Sequence, residues 1–84
     1  MTTNQDLFDR WVSEAIVTKF NLEAEHTKAG KAARRAKISA LLDCAAQLQC
    51  IHGLPGADPR DPGGLDEQFN RIADRAAARA KAAA

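Results

Sequence analysis

The stretch from Lys28 to Lys37, KAGKAARRAK, carries five positive charges and neither an acid nor an aromatic residue. Such residues hold anions, lysine as a point charge and arginine through a planar fork of donors. A second basic set, Arg71, Arg75 and Arg79, recurs at steps of four near the C-terminus. Glu67 is spaced to pair with Arg71, while Arg75 and Arg79 have no acid four residues earlier. The candidate anion- or partner-binding residues are therefore Lys28, Lys31, Arg34, Arg35, Arg75 and Arg79.

The other reactive side chains do not assemble into a recognisable device. Ser13, Ser39, Cys44 and Cys50 lack an evident base and orienting acid, so no catalytic residue is assigned and no enzyme is expected. GKAARRAK lacks the Gly-Lys-Ser/Thr ending of a phosphate-binding loop that follows a strand. Glu23 and His26 have the Glu-x-x-His spacing of carboxylate-bridged iron sites, but too few further carboxylates stand ready to complete one. Cys44, Cys50 and His52 do not have zinc spacing and lack a fourth ligand. No metal or cofactor is expected.

Three helices must position these charges. The first, about 4–20, starts with Thr3 or Asn4 as its cap and presents Leu7, Phe8, Trp11, Val12, Ala15, Ile16 and Phe20 at helical spacing. The second, about 22–52, begins near Leu22 or after Thr27 and stops at His52 and Gly53. Residues 53–64, GLPGADPRDPGG, hold all three prolines and four of the five glycines and read as a loop. The third, about 65–81, opens with Asp66 and Glu67 where acids favour a helix N-terminus. No strand pattern competes. The fold class is all-α: a single small three-helix domain over residues 1–84, with a long helical hairpin. The economical hairpin joins the second and third helices through the loop, with the first helix packed alongside. That arrangement sets the start of the second helix beside the end of the third, so the two basic runs meet at one site.

On a wheel of 100° per residue, one side of the second helix is aliphatic in its second half (Ile38, Leu41, Leu42, Ala45, Leu48) and cationic in its first (Lys28, Lys31, Arg34, Arg35). Alanines fill the opposite side. Either the helix start projects past the bundle into water, or its alanine side packs on a neighbouring helix while the cations line a cleft.

Composition limits the rest. Large apolar side chains are few and alanine buries little area, so at roughly 25 cal/mol per Å² the core is small for 84 residues. Completion by a homo-oligomer, a dimer or higher, is expected, with Leu7, Phe8 and Trp11 at the interface. Twelve bases against eleven acids give a net charge of +1, so the clustering of charge matters and not its sum. Cys44 and Cys50 point about 120° apart on one helix and are not placed to bridge each other within it. The polar, acidic N-terminus does not resemble a secretory signal, and no apolar run approaches the roughly 20 residues of a membrane span, so a cytoplasmic, non-membrane protein is expected.

The sequence thus points to a non-enzymatic oligomeric binding protein, a regulator or inhibitor such as mobile elements carry, that engages an acidic protein surface, a nucleotide or a nucleic-acid backbone. The alternatives are a DNA-binding accessory factor or repressor, and an assembly protein that uses only its apolar helix faces.

Overall fold

The computed structural model of the chain describes residues 2–83. Three helices account for most of them: α1 (Asn4–Ala24), α2 (Lys28–His52) and α3 (Gly64–Ala83). Among the described residues there is no strand. The all-α, three-helix class read from the periodicity is the one observed.

The helix ends follow local chemistry. Thr3 caps α1 with a reciprocal pair of hydrogen bonds: the Asp6 amide donates to Thr3 Oγ1 at 3.0 Å, and the Thr3 amide donates to Asp6 Oδ2 at 3.2 Å. Two of the amides that a helix start leaves unpaired are thereby satisfied. The helix continues to Ala24, past the expected stop near Phe20, so the two helices are separated only by Glu25–Thr27. Thr27 caps α2, its Oγ1 accepting from the Gly30 amide at 3.0 Å. At the other end Gly53 closes α2 in the left-handed conformation, φ 60° and ψ 38°, which glycine adopts without a Cβ clash.

The long helical hairpin is present, but α1 and α2 form it. α3 also packs on α1, and α2 and α3 do not pack on each other. The direction of α3 follows from its partners. Arg79 and Arg75 reach Asp6 and Asp9 near the start of α1, while Asp66 and Phe69 share a cavity with Ile16, Phe20 and Glu23 near its end. α3 is therefore antiparallel to α1 and parallel to α2, contrary to the expected hairpin of the second and third helices.

The Pro/Gly connection makes this possible. It does not turn tightly; it runs back between α2 and α3. From His52 back to the level of Ile38 is roughly 21 Å along α2, within the roughly 36 Å that eleven extended residues can span. Amides from both helices hold it. Gln49 donates to the Gly56 and Ala57 carbonyls at 2.9 and 3.2 Å, and Gln68 donates to Pro55 and Ala57 at 3.2 and 2.7 Å. Gln68 is fully buried, as is Pro59. Gly64 is buried against the connection, where a Cβ would collide with the Asp58 carbonyl oxygen.

The core is small. Phe8, Val12 and Ala15 of α1 meet Ala45 of α2 and Leu65 of α3, with Trp11, Leu41, Leu42, Leu48 and Ile72 packed around them. Phe8 is completely enclosed by its own chain, so it is not exposed to serve as the expected interface contact; Leu7 and Trp11 are half-buried. Replacing Phe8 by alanine is expected to lower unfolding free energy by about 3–5 kcal/mol, through lost burial and an unfilled cavity. Val17→Ala, at a side chain 58% exposed, is expected to change it by about 0.5 kcal/mol or less. Urea unfolding followed by helical circular dichroism measures both.

Candidate functional site

The topology separates the two basic runs. α1 is roughly 30 Å long, and Arg75 and Arg79 lie at its start while Lys28–Arg35 lie at its end. Arg75 Nη2 is 2.6 Å from Asp9 Oδ1, and Arg79 Nη2 is 3.4 Å from Asp6 Oδ1. The single convergent anion site expected from an α2–α3 hairpin is therefore not formed. The reason is geometric: parallel α2 and α3 put like ends together, whereas the expectation needed opposite ends.

The sequence-derived set assigned no role to Asp6 or Asp9. Arg75 and Arg79 hold them across the bundle. The Asp6 carboxyl is kept below the ordinary aspartate range, first by the Thr3 backbone amide, then by the Thr3 hydroxyl, with Arg79 adding to both.

Around the start of α2 a different acid matters. Glu25, at the end of α1, turns its carboxylate toward the first turn of α2. Glu25 Oε1 accepts from the His26 and Thr27 amides at 3.1 and 3.2 Å and from Thr27 Oγ1 at 3.2 Å. Arg34 Nε donates to Oε2 at 3.2 Å. An anion from the chain itself thus occupies the positive end of a helix whose first turn has no acid of its own. Gly30 leaves the space: a Cβ there would sit 2.5 Å from Glu25 Cδ and 2.7 Å from Thr27 Oγ1. Two sequence signals mark this latch, a glycine in the first turn of a helix and an acid two residues before its threonine cap.

The six candidate cations then divide. Arg34, Arg75 and Arg79 have carboxylate partners in the chain. Lys28, Lys31 and Arg35 have none among the described residues. These three stand at positions i, i+3 and i+7, on one side of α2, and Ile38 and Leu42 continue the same stripe. Lys31, Ile38 and Leu42 are half-buried, while Lys28 and Arg35 are exposed.

The expected opposition of cationic and alanine sides is observed, but with the alanines outward. Ala29, Ala32, Ala33, Ala36 and Ala40 are all exposed. Among the described residues no helix packs on that row.

Arg35, Ile38 and Leu42 of the stripe form one wall of a groove of about 510 Å³, and Lys28 and Lys31 continue the stripe beyond it. Arg35, Ile38 and Leu42 face Lys19 and Leu22 of α1 across it, and Arg60 of the connection stands at its edge. Arg60 is already engaged, 2.9 Å from Asp58 Oδ2 and 3.8 Å from Asp43 Oδ1. The Asp58 carboxyl is correspondingly held low by its hydrogen bonds from Arg60. Lys19 and Arg35 have no ion-pair partner among the described residues, while Asp43 lines the same groove. Lys19, Leu22 and Arg60 were absent from the sequence-derived set, because only the packing of α1 against α2 and the returning connection brings them beside Arg35.

The groove thus combines aliphatic side chains, Leu22, Ile38 and Leu42, with two cations, Lys19 and Arg35, that have no ion-pair partner among the described residues. These features define a class: a small all-α protein with a cationic, half-apolar groove between two helices of a hairpin. No protein-family model, no curated protein and no solved structure matches the chain.

Two outcomes follow from the ion pairs. Glu25 is held below the roughly 4.3 of a free glutamate, chiefly by the Thr27 amide and then by Arg34 and the Thr27 hydroxyl. A depressed folded-state value stabilises the fold above the unfolded-state value, and that contribution disappears as pH falls through the lower folded value. Glu25→Gln is therefore expected to flatten the loss of melting temperature between pH 5 and pH 3, relative to the parent chain. Arg75→Glu is expected to lower the melting temperature at pH 7 by setting a carboxylate against Asp9, with a cost of about 1 kcal/mol or more. Thermal unfolding across that pH series reads both.

Proposed function

We propose that this chain is a non-enzymatic helical binding protein of the cytoplasm that works as a homo-oligomer and regulates or inhibits an anionic partner. The reading rests on one observation above all. The only members of the basic set without a carboxylate partner among the described residues, Lys28, Lys31 and Arg35, share one side of α2. Like charges gathered on one side attract and orient an anion, most strongly where one of them is half-buried, as Lys31 is.

Oligomerisation is supported by apolar surface that the monomer leaves open. Phe20 and Ile51 are 76% and 74% exposed, and Phe20 lines the same cavity as Phe69. Among the described residues no helix is long and apolar enough to cross a membrane.

An acidic protein surface is favoured over a nucleic-acid backbone because only three unpaired cations lie in the stripe and aliphatic side chains continue it. Immobilised poly-glutamate and duplex DNA are suitable probes. Lys31→Glu and Arg35→Glu are expected to weaken retention at least tenfold with helical content unchanged, and Lys81→Glu, at the far end of α3, is expected to have little effect. On duplex DNA, three neutralised phosphates correspond to a loss of roughly fortyfold between 50 and 200 mM salt. Equal retention of the parent chain and Arg35→Glu on both probes would overturn the reading.

A further inference from the structure

The cationic stripe has a second half and the groove has a second end. The cavity of about 510 Å³ continues into one of about 290 Å³, which shares Lys19, Ile38 and Leu42 with it. The returning connection and the start of α3 border this second space with Pro62, Leu65, Asp61 and Asp66. Neither Asp61 nor Asp66 has an ion-pair partner among the described residues. The trough therefore has Arg35 at one end, where Lys28 and Lys31 continue the same side of α2 beyond it, Leu22, Ile38 and Leu42 along its length with Lys19 among them, and Asp61 and Asp66 where the connection borders it.

Leu22 and Ile38 are half-buried yet do not belong to the packed surround of the core. They offer aliphatic surface toward the trough without being required to fill the interior. From Lys28 to Leu42 the stripe extends roughly 21 Å, about four helical turns. That is longer than the head group of a small anion and matches a short helix.

We propose, building on the anion-binding reading above, that this trough is a docking groove for an amphipathic helical segment of a partner protein, acidic at its N-terminal end, leucine-rich in the middle and basic at its C-terminal end. Charge at both ends of the groove sets the direction. The segment lies parallel to α2, with its acids over Lys31 and Arg35 and its bases beside Asp61 and Asp66. This order of charge is also the one that the segment's own helix dipole favours, so binding and helix formation reinforce each other. The opposite direction would place acids against the connection's aspartates. A nucleic-acid backbone satisfies the first end of the groove only.

Two synthetic 15-residue peptides test this. The forward peptide carries glutamates in its first turn, leucines at i, i+3, i+4 and i+7 through its middle and lysines in its last turn. The reversed peptide has the lysines first and the glutamates last. Fluorescence anisotropy of the labelled peptides against the full chain reads affinity. The forward peptide is expected to bind at least tenfold more tightly than the reversed one. Arg35→Glu and Ile38→Asn are each expected to weaken it at least tenfold, and Lys81→Glu to leave it unchanged. Equal affinity for the two peptides, or no binding of either, overturns the docking proposal, and that comparison needs no variant to fold. Unchanged affinity in Ile38→Asn, shown folded by its circular dichroism, overturns the aliphatic half. If poly-glutamate or duplex DNA is retained through Lys31 and Arg35 while neither peptide discriminates, the anion-binding reading stands and this deeper one fails. If Arg35→Glu changes retention of no probe, the anion-binding reading itself fails.

Discussion

The return of the connection between α2 and α3 is the constraint on which the rest of the molecule depends. It decides that α3 is parallel to α2, and so which charges meet. A tight turn at Gly53 would have folded α3 back along α2. Three prolines instead deny the segment a helix, and Gln49 and Gln68 tie its carbonyls to both neighbouring helices. The connection thus fills the space between α2 and α3 near their contacts with the core. Farther along, where it turns into α3, it closes one end of the groove. Gly64 is required by this arrangement, since only a residue without a Cβ fits against the Asp58 carbonyl.

Chemically similar side chains acquire different roles from this one topological choice. Arg75 and Arg79 hold the start of α1 through Asp9 and Asp6. Arg34 secures Glu25, which in turn occupies the positive end of α2. Pairs of this kind, exposed or half-exposed, contribute only about 0–1 kcal/mol each. They orient the helices more than they hold them together. The core of Phe8, Val12, Ala15, Ala45 and Leu65 supplies cohesion, and it contains one aromatic and two alanines. A core this small leaves Phe20, Val17 and Ile51 outside, and their exposure is the counterpart of the limited interior.

The groove arises from the same limitation. α1 is the only helix that touches both others, so the gap between α2 and α3 is filled partly by the connection and partly not at all. Where α1 and α2 line the groove, its α2 wall is cationic at Arg35, the last of the three bases that replace the aliphatic stripe of α2 over its first two turns. Turning alanines outward and cations inward would be costly if the cations were enclosed. They are not, since long basic side chains keep their heads wet while their stems lie against apolar surface.

Much of this was legible in the residues alone. Helical periodicity, the stop at Gly53 and the Pro/Gly segment are local signals, whereas the residues alone do not choose between Thr3 and Asn4 for the start of α1, or between a start of α2 near Leu22 and one after Thr27. The local signals determined three helices, an all-α class and a stripe on α2 that changes from charged to aliphatic. Local sequence also marked the six candidate cations, because charge spacing along one helix needs no tertiary information. Which of those cations have partners was decided only in three dimensions. Arg75 with Asp9 and Arg79 with Asp6 are separated by 66 and 73 residues, and nothing in either segment names the other. The same holds for Lys19 and Leu22 facing Arg35, and for Phe8, whose apolar character fits a core and an interface equally well. The physical reason is the connection: its composition forbids a helix but does not fix its path. Its path is set by tertiary contacts, those of Gln49 and Gln68 with its carbonyls, and these belong to the folded chain.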